Sequence, residues 1–330
     1  MRTVTLEEHF SFAAITDRID KAVVARRGFV SHGRRPGMAD IPRLLEEVGD
    51  DRLKSMDASG VSVQVLSVSG PGADLLEGDA GIALARDYNT AIFEKVKAHP
   101  TRFAAFAHLP MTAPQAAADE LERCVKQLGF CGALINGVTN DRFLDDKQFA
   151  PILARAEKLD VPLYLHPGIP PKAVRDVYYA GMSPAADFLL ATAGFGWHSE
   201  TAIHTLRLIV SGTLDRYPKL QIIIGHMGEM LPMMMARCDG IFAPDFVGMG
   251  RSVQQTLRDQ VHVTTSGLFT LPPLIATIDT FGIDRVMFSI DYPYSSNEKG
   301  KKYLDSLPLA PADIEKIAHS NADRLLRLKK

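Results

Sequence analysis

The residues best suited to chemistry begin with Glu7-Glu8-His9, a carboxylate and an imidazole two positions apart near the start of the chain. Side chains alternate across an extended segment, so Glu7 and His9 project to one face and Glu8 to the other. Glu7 and His9 can therefore share a cation. His166 and Asp291, each at the end of a later apolar run, complete a mixed nitrogen and oxygen set. Such a set suits zinc, manganese or iron, and suits copper(I) poorly because copper(I) favours sulfur. These four residues predict one divalent metal ion, zinc or manganese, as cofactor. Taken singly, Glu7 would read as a surface acid and His166 as a satisfied core histidine. Four such groups at one rim would need four separate explanations.

A second group follows in Gly225-His226-Met227-Gly228-Glu229. His226 and Glu229 are one turn apart at the start of a predicted helix, close enough for the carboxylate to orient or charge the imidazole. They read as an acid/base pair. The bland alternative is a capped, buried histidine with an acid in the first turn. Arg237 lies two turns further on the same predicted helix, where it meets a carboxylate substrate or a neighbouring subunit, or is simply solvated. Met230 and Met233 to Met235 read as core packing rather than a metal site. His108 ends a predicted strand as a rim contact or an active-site wall. His32 and His99 read as solvated, His262 as part of a strand, His319 as helical and Trp197 as packing. His198 and His204, in GFGWHSETAIH, receive no role.

The elements that must position these groups are eight short runs rich in β-branched and aliphatic residues, separated by segments with helical apolar spacing. The predicted strands are Val4 to Leu6, Val61 to Val68, Phe103 to His108, Gly132 to Ile135, Pro162 to His166, Leu220 to Ile224, Val261 to Thr265 and Arg285 to Ile290. Predicted helices include Ile82 to Ala98, Pro114 to Leu128, Phe149 to Leu159, Ala202 to Ser211 and Leu274 to Phe281. This alternation predicts an α/β fold, a (β/α)8 TIM barrel with an insertion after the first strand. The insertion, Phe10 to Asp57, holds Arg26, Arg27, Arg34 and Arg35 and a helix around Ile41 to Met56, and is expected over the catalytic end. In a barrel the C-terminal strand ends converge on one mouth, which would gather Glu7, His9, His166, His226 and Asp291. A doubly wound sheet would put a glycine-rich phosphate turn after its first strand. Here that strand ends in Glu-Glu-His, and Gly70-Pro71-Gly72 has the wrong spacing.

Composition bounds the rest. The 330 residues are 46% apolar and 23% charged, enough for one large core, and no repeat or linker marks a domain boundary, so residues 1–330 read as a single barrel domain. Lys plus Arg total 37 against 39 for Asp plus Glu, a net charge of −2, which predicts no nucleic-acid partner. Three cysteines without CxxC spacing argue against a disulfide framework, and no apolar run reaches the ~20 residues that span a bilayer. The expectation is a cytoplasmic protein with no membrane partner.

Several segments together carry a family resemblance. LEEHF at the start, LYLHPG at Leu163 to Gly168, ETAIHTLRLIVSGTLDRYPKLQIIIGHMGEMLP at Glu200 to Pro232, FSIDYPY at Phe288 to Tyr294 and NADRLLRL at Asn321 to Leu328 resemble the amidohydrolase superfamily. Within it they are most similar to the branch of γ-resorcylate and 2,3-dihydroxybenzoate decarboxylases, with aminocarboxymuconate semialdehyde decarboxylase more distant. The resemblance implies Glu7, His9, His166 and Asp291 as metal ligands and Asp291, His226 and Glu229 as the catalytic group. Many hydrolytic relatives open with His-X-His, so Glu7-Glu8-His9 favours the decarboxylase side. The fourth strand, ending near Ile135-Asn136-Gly137, has no lysine to form the carbamate bridge of binuclear relatives, which supports one metal. The loop PGIPPKAVRDVYYAGM after His166 departs from the resorcylate enzymes.

The implied activity is non-oxidative decarboxylation of a hydroxybenzoate-type aromatic acid, with Asp291 as the acid that protonates the ring before CO2 leaves. The partner is then a small aromatic carboxylate, and the protein a homo-oligomer, dimer or tetramer. The rival activity is metal-dependent hydrolysis of a lactone, amide or C–C bond by activated water, with Asp291 as base. A catalytically silent barrel used as a scaffold would be favoured by loss of a ligand, and all four are present.

Overall fold

The structure, a computed structural model, describes residues 1–29 and 40–328. All eight apolar runs form strands: β1 (Val4–Phe10), β2 (Val63–Val68), β3 (Phe103–Ala105), β4 (Ala133–Asn136), β5 (Leu163–His166), β6 (Ile222–Ile224), β7 (Val261–Thr264) and β8 (Val286–Met287). Their ladders are parallel and their neighbours follow chain order, β1 to β3 and β4 to β8. Two seams close the ring. Between β3 and β4, Ala107 bridges Ala133 and its N–H donates to the Gly132 carbonyl at 2.8 Å. Between β8 and β1, the His9 N–H donates to the Tyr292 carbonyl at 2.7 Å. The Ser289 hydroxyl oxygen accepts there from the amides of Leu6 (3.3 Å) and Glu7 (2.7 Å). The expected (β/α)8 barrel is the result.

Val4, Leu6, Val65, Phe106, Leu134, Tyr164, Ile223 and Met287 pack together inside the barrel. Leu66, Ile135, Leu165, Ile224, Val263 and Val286 face outward against the helices. Burial on both faces is why the strands read as near-continuous apolar runs. β1 departs from simple alternation. It pairs Thr5 with Gln64 but Glu8 with Leu66, three steps against two, so one extra residue is accommodated as a bulge. The bulge reverses which parity faces inward: Val4 and Leu6 do so before it, Glu7 and His9 after it.

The helices Gly78–Ala98, Pro114–Leu128, Ala150–Leu159, Gly196–Val210 and Leu271–Phe281 correspond to the predicted ones. Gly196–Val210 begins before the predicted Ala202 and so takes in Trp197 and His198. The insertion differs more. The helix expected over Ile41 to Met56 is two helices, Ile41–Glu46 and Asp50–Ala58, broken at Gly49, whose backbone (φ −166°, ψ −135°) is not helical. Across the break, buried Arg52 donates to the carbonyls of Glu47 (2.9 Å), Leu44 (3.0 Å) and His9 (2.7 Å). As expected, the insertion reaches the mouth: Arg27, ending the helix Lys21–Arg27, donates to the Val138 and Pro170 carbonyls, both at 3.4 Å, beyond β4 and β5. His32, Arg34 and Arg35 lie outside the described residues.

Beyond β5, Gly168 meets Gly137 beyond β4 so closely that a Cβ at position 168 would lie 2.7 Å from the Gly137 Cα. Backbone has no rotamer with which to yield. Gly168→Ala is expected to cost about 1–3 kcal/mol, read as a lower urea midpoint at unchanged slope.

Candidate active site

At the barrel mouth Glu7 is fully buried. Its Oε2 accepts short hydrogen bonds from the Tyr164 and Ser266 hydroxyls, and Tyr164 is in turn 2.7 Å from Thr264 Oγ1. Burial, then the Glu7 charge, raises the Tyr164 phenol well above its usual range, which keeps it a donor. The remaining Glu7 oxygen, Oε1, lies 3.3 Å from His166 Nε2 and 3.7 Å from His226 Nε2. His9 Nε2 lies 3.3 Å from Asp291 Oδ1, and Asp291 Oδ2 is 3.9 Å from His226 Nε2. Burial opposes ionisation of Glu7, but the charge of His226 and then the adjacent His166 and His9 imidazoles hold its carboxyl well below the ordinary value. Asp291 is also lowered: burial opposes it, and the adjacent His226 and His9 imidazoles prevail.

The fit to a divalent cation is testable on these atoms. Glu7 Oε1 and His9 Nε2 are buried and have no hydrogen-bond partner, an expensive condition unless something binds them. Two ligand atoms each about 2.1 Å from one ion sit about 3.0–3.4 Å apart at octahedral to tetrahedral angles. The 3.3 Å spacings of Glu7 with His166 and of His9 with Asp291 fall within that range. Gly225, beyond β6, leaves room for Glu7: a Cβ there would lie 2.6 Å from Glu7 Oε2. Glu7, His9, His166 and Asp291 therefore fit the cation that the sequence predicts, and Asp291 stands in this group through His9.

The second group forms by a different route from the one expected. Residues 226–230 do not begin a right-handed helix. His226 (φ 46°), Met227 (56°), Gly228 (84°), Glu229 (52°) and Met230 (66°) all lie in the left-handed region. That turn brings His226 Nδ1 to 2.8 Å from Glu229 Oε1. Its cost, roughly 1–2 kcal/mol for each residue other than glycine, is met by neighbours. Thr277 Oγ1 donates to the Met227 carbonyl at 2.8 Å, and the Gly228 N–H donates to the Gly225 carbonyl at 2.9 Å. Burial disfavours a charged His226, yet Glu7 and then Glu229 hold its pKa well above the usual value. Glu229 is lowered: burial opposes this, and the His226 charge and hydrogen bonds from His198 and His226 outweigh it.

The reversal at Met230 also takes Arg237 off the helix on which it was expected to follow His226 and Glu229. The helix there is Leu231–Ile241; Leu231, Met235 and Cys238 face inward, and Arg237 is exposed. Met233 and Met234 are exposed too, so only Met235 of that run packs as expected. His108 is buried, its Nε2 accepting the Ala73 N–H at 2.8 Å. His204 Nε2 accepts from the Leu144 N–H at 3.0 Å. His198, given no role by the sequence, joins the site: its Nδ1 is 2.8 Å from Glu229 Oε2 and its ring 4.5 Å from that of His226. Tyr164 and Ser266 were also missed. Alternation along LYLH places Tyr164 on the His166 face, and the polar end of β7, Thr264-Thr265-Ser266, lies at the rim, so both were within reach of the strand argument.

Residues 37–328 match the family profile described as amidohydrolase. The chain belongs to the amidohydrolase family. The γ-resorcylate decarboxylase of a Rhizobium species is 36% identical over 338 residues, covering 98% of each chain. A 2,6-dihydroxybenzoate decarboxylase solved in complex with 2,6-dihydroxybenzoate has a TM-score of 0.86 at 36% identity, covering 99% of this chain and 100% of that one. A dihydroxybenzoic acid decarboxylase from a Polaromonas species, solved with bound manganese and the inhibitor 2-nitroresorcinol, has a TM-score of 0.87 at 33% identity, covering 100% of this chain and 98% of that one. The family expected from the motifs is the family found. Among the described residues, no helix is long and apolar enough to cross a membrane.

One acid beside the site offers a check on these electrostatics. Glu200 is buried on Gly196–Val210, its Oε1 has no hydrogen-bond partner, and burial pushes its carboxyl up to about 7, with Arg27 pulling the other way. A folded-state value above the unfolded one, about 4.3, means that ionisation opposes folding. The penalty is absent below the unfolded value and grows as pH rises through about 7. Glu200→Gln should raise Tm by a few degrees at pH 8 and by less at pH 5; an equal shift at both would contradict the burial argument.

Proposed function

We propose that this amidohydrolase is a metal-dependent, non-oxidative decarboxylase of a hydroxybenzoate-type aromatic acid, a carbon–carbon lyase. The observation that carries this reading is the convergence of two unpartnered buried atoms, Glu7 Oε1 and His9 Nε2, with His166 and Asp291. End-to-end similarity to dihydroxybenzoate decarboxylases supports it. Glu7, His9, His166 and Asp291 would hold one divalent cation, manganese or zinc. Its charge, when bound, supplies Lewis-acid stabilisation of substrate oxygens.

Asp291 accepts the proton of the ortho hydroxyl and delivers it to the ring carbon that bears the carboxylate. The electron pair of the ring–carboxylate bond then returns to the ring, neutral CO2 leaves, and the phenolate is protonated from solvent. His226, charged and beside Asp291 Oδ2, donates from Nε2 to the substrate oxygen on which negative charge develops. Glu229 holds His226 by its other nitrogen. The same reading takes residues 1–330 as one barrel domain, in the cytoplasm, assembled as a dimer or tetramer, with exposed Met233, Ile241 and Phe246 available for burial against another copy.

Salicylate, 2,3- and 2,6-dihydroxybenzoate, offered to the manganese-loaded protein, should yield CO2 from at least one. In D2O, deuterium should appear at the carbon that lost CO2. His166→Ala should lower bound metal, measured by elemental analysis, because a strong nitrogen ligand is lost. Cleavage of an ester or lactone with uptake of labelled water oxygen, and no CO2 from any benzoate, would replace this reading by a hydrolase.

A further inference from the structure

Trp197 is the single tryptophan of the chain, and its indole Nε1 lies 3.1 Å from His198 Nε2. An indole N–H only donates, so the nitrogen facing it must accept and carries no proton. The one ring proton of His198 then sits on Nδ1, which is 2.8 Å from Glu229 Oε2. The Ala193 carbonyl, 3.3 Å from the same Nε2, is left as a contact without a proton between. Were His198 to hold its proton at Nε2 for Ala193, the indole N–H would lose its acceptor and a bare Nδ1 would face the Glu229 carboxylate at 2.8 Å. Both effects oppose that state.

Glu229 thus accepts one N–H at each oxygen: His226 Nδ1 at Oε1 and His198 Nδ1 at Oε2, both at 2.8 Å. The carboxylate is buried, so its orientation is set by these two bonds rather than by water. Glu229 is thereby held between the two imidazoles, and its hold on His226 Nδ1 fixes the direction of that ring. The free nitrogen of His226 then points toward Glu7 Oε1 and Asp291 Oδ2, at 3.7 and 3.9 Å.

We infer that His198, fixed as the Nδ1–H tautomer by Trp197, is a positioning residue that orients Glu229 and, through it, His226. The kinetic part of this inference rests on the decarboxylase reading; the tautomer does not.

Asparagine places its amide N–H near the Nδ1 position, whereas leucine fills the space without a donor. His198→Leu should lower kcat roughly 10–100-fold, the usual effect of losing a partner behind a catalytic group, with KM changed less than about threefold. His198→Asn should recover most of that loss. Manganese content and Tm should be similar in the two variants. If His198→Asn is as slow as His198→Leu, ring packing rather than the N–H is what matters and the inference falls. It falls equally if His198→Leu keeps wild-type kcat.

A substrate-independent measurement separates this inference from the reaction assignment. Nitrogen-15 spectra of imidazole-labelled protein should show His198 protonated at Nδ1 and bare at Nε2, and Trp197→Phe should weaken that preference. A proton on Nε2 in the wild type overturns the tautomer lock, whatever the enzyme turns over. Bare Nε2 with no CO2 from any hydroxybenzoate would instead leave the lock standing and remove the decarboxylase reading.

Discussion

A carboxylate with no water around it, Glu7, sets the terms for the whole mouth of the barrel. Removing such a charge from solvent costs several kcal/mol unless neighbours replace the water. Here the replacement is divided between the two oxygens. Tyr164 and Ser266, from β5 and the end of β7, satisfy Oε2, while Oε1 faces imidazoles from β5 and the β6 turn. One oxygen is thereby tied down and the other kept for a cation or a substrate. Each neighbour must be within reach of a fixed point, so the strand order and the closure of the ring become part of the chemistry.

The backbone carries the remaining cost. Asp291 (φ 67°) and residues 226–230 occupy the left-handed region, and both segments end a strand at the mouth. Glu8 contributes to holding one of them. Its carboxylate accepts the N–H groups of Ile290 and Tyr292, at 3.0 and 3.1 Å, on either side of Asp291. The neighbouring acids of Glu7-Glu8 therefore have different tasks, one within the mouth and one securing the strand opposite.

What was legible in the sequence followed from periodicity, and what was not followed from local exceptions to it. The strands and their order were readable because burial on both faces imposes apolar runs, and a barrel then fixes where their ends go. The convergence of Glu7, His9, His166 and Asp291 at the mouth was readable on that basis. The β1 bulge was invisible, yet the shared face of Glu7 and His9 survived because both lie beyond it. The single helix from His226 to Arg237 failed for the converse reason: it assumed a right-handed path through Met227 and Met230, residues that seldom adopt positive φ, and no propensity would signal it. His198 was hidden because the helix carrying it was started too late, which left the residue without a face.

Arg52 divides the insertion into two mechanically different parts. By bonding to the His9 carbonyl as well as to Leu44 and Glu47, it makes the segment from Ile41 to Ala58 continuous with the strand that holds the site. Displacing that segment would strip a buried guanidinium of its acceptors and disturb His9 at the same time. The helix Lys21–Arg27 has no buried residue, and its terminal arginine reaches the β4 and β5 loops through two contacts of 3.4 Å. The mouth is thus bordered by a lightly held helix on one side and a firmly anchored segment on the other.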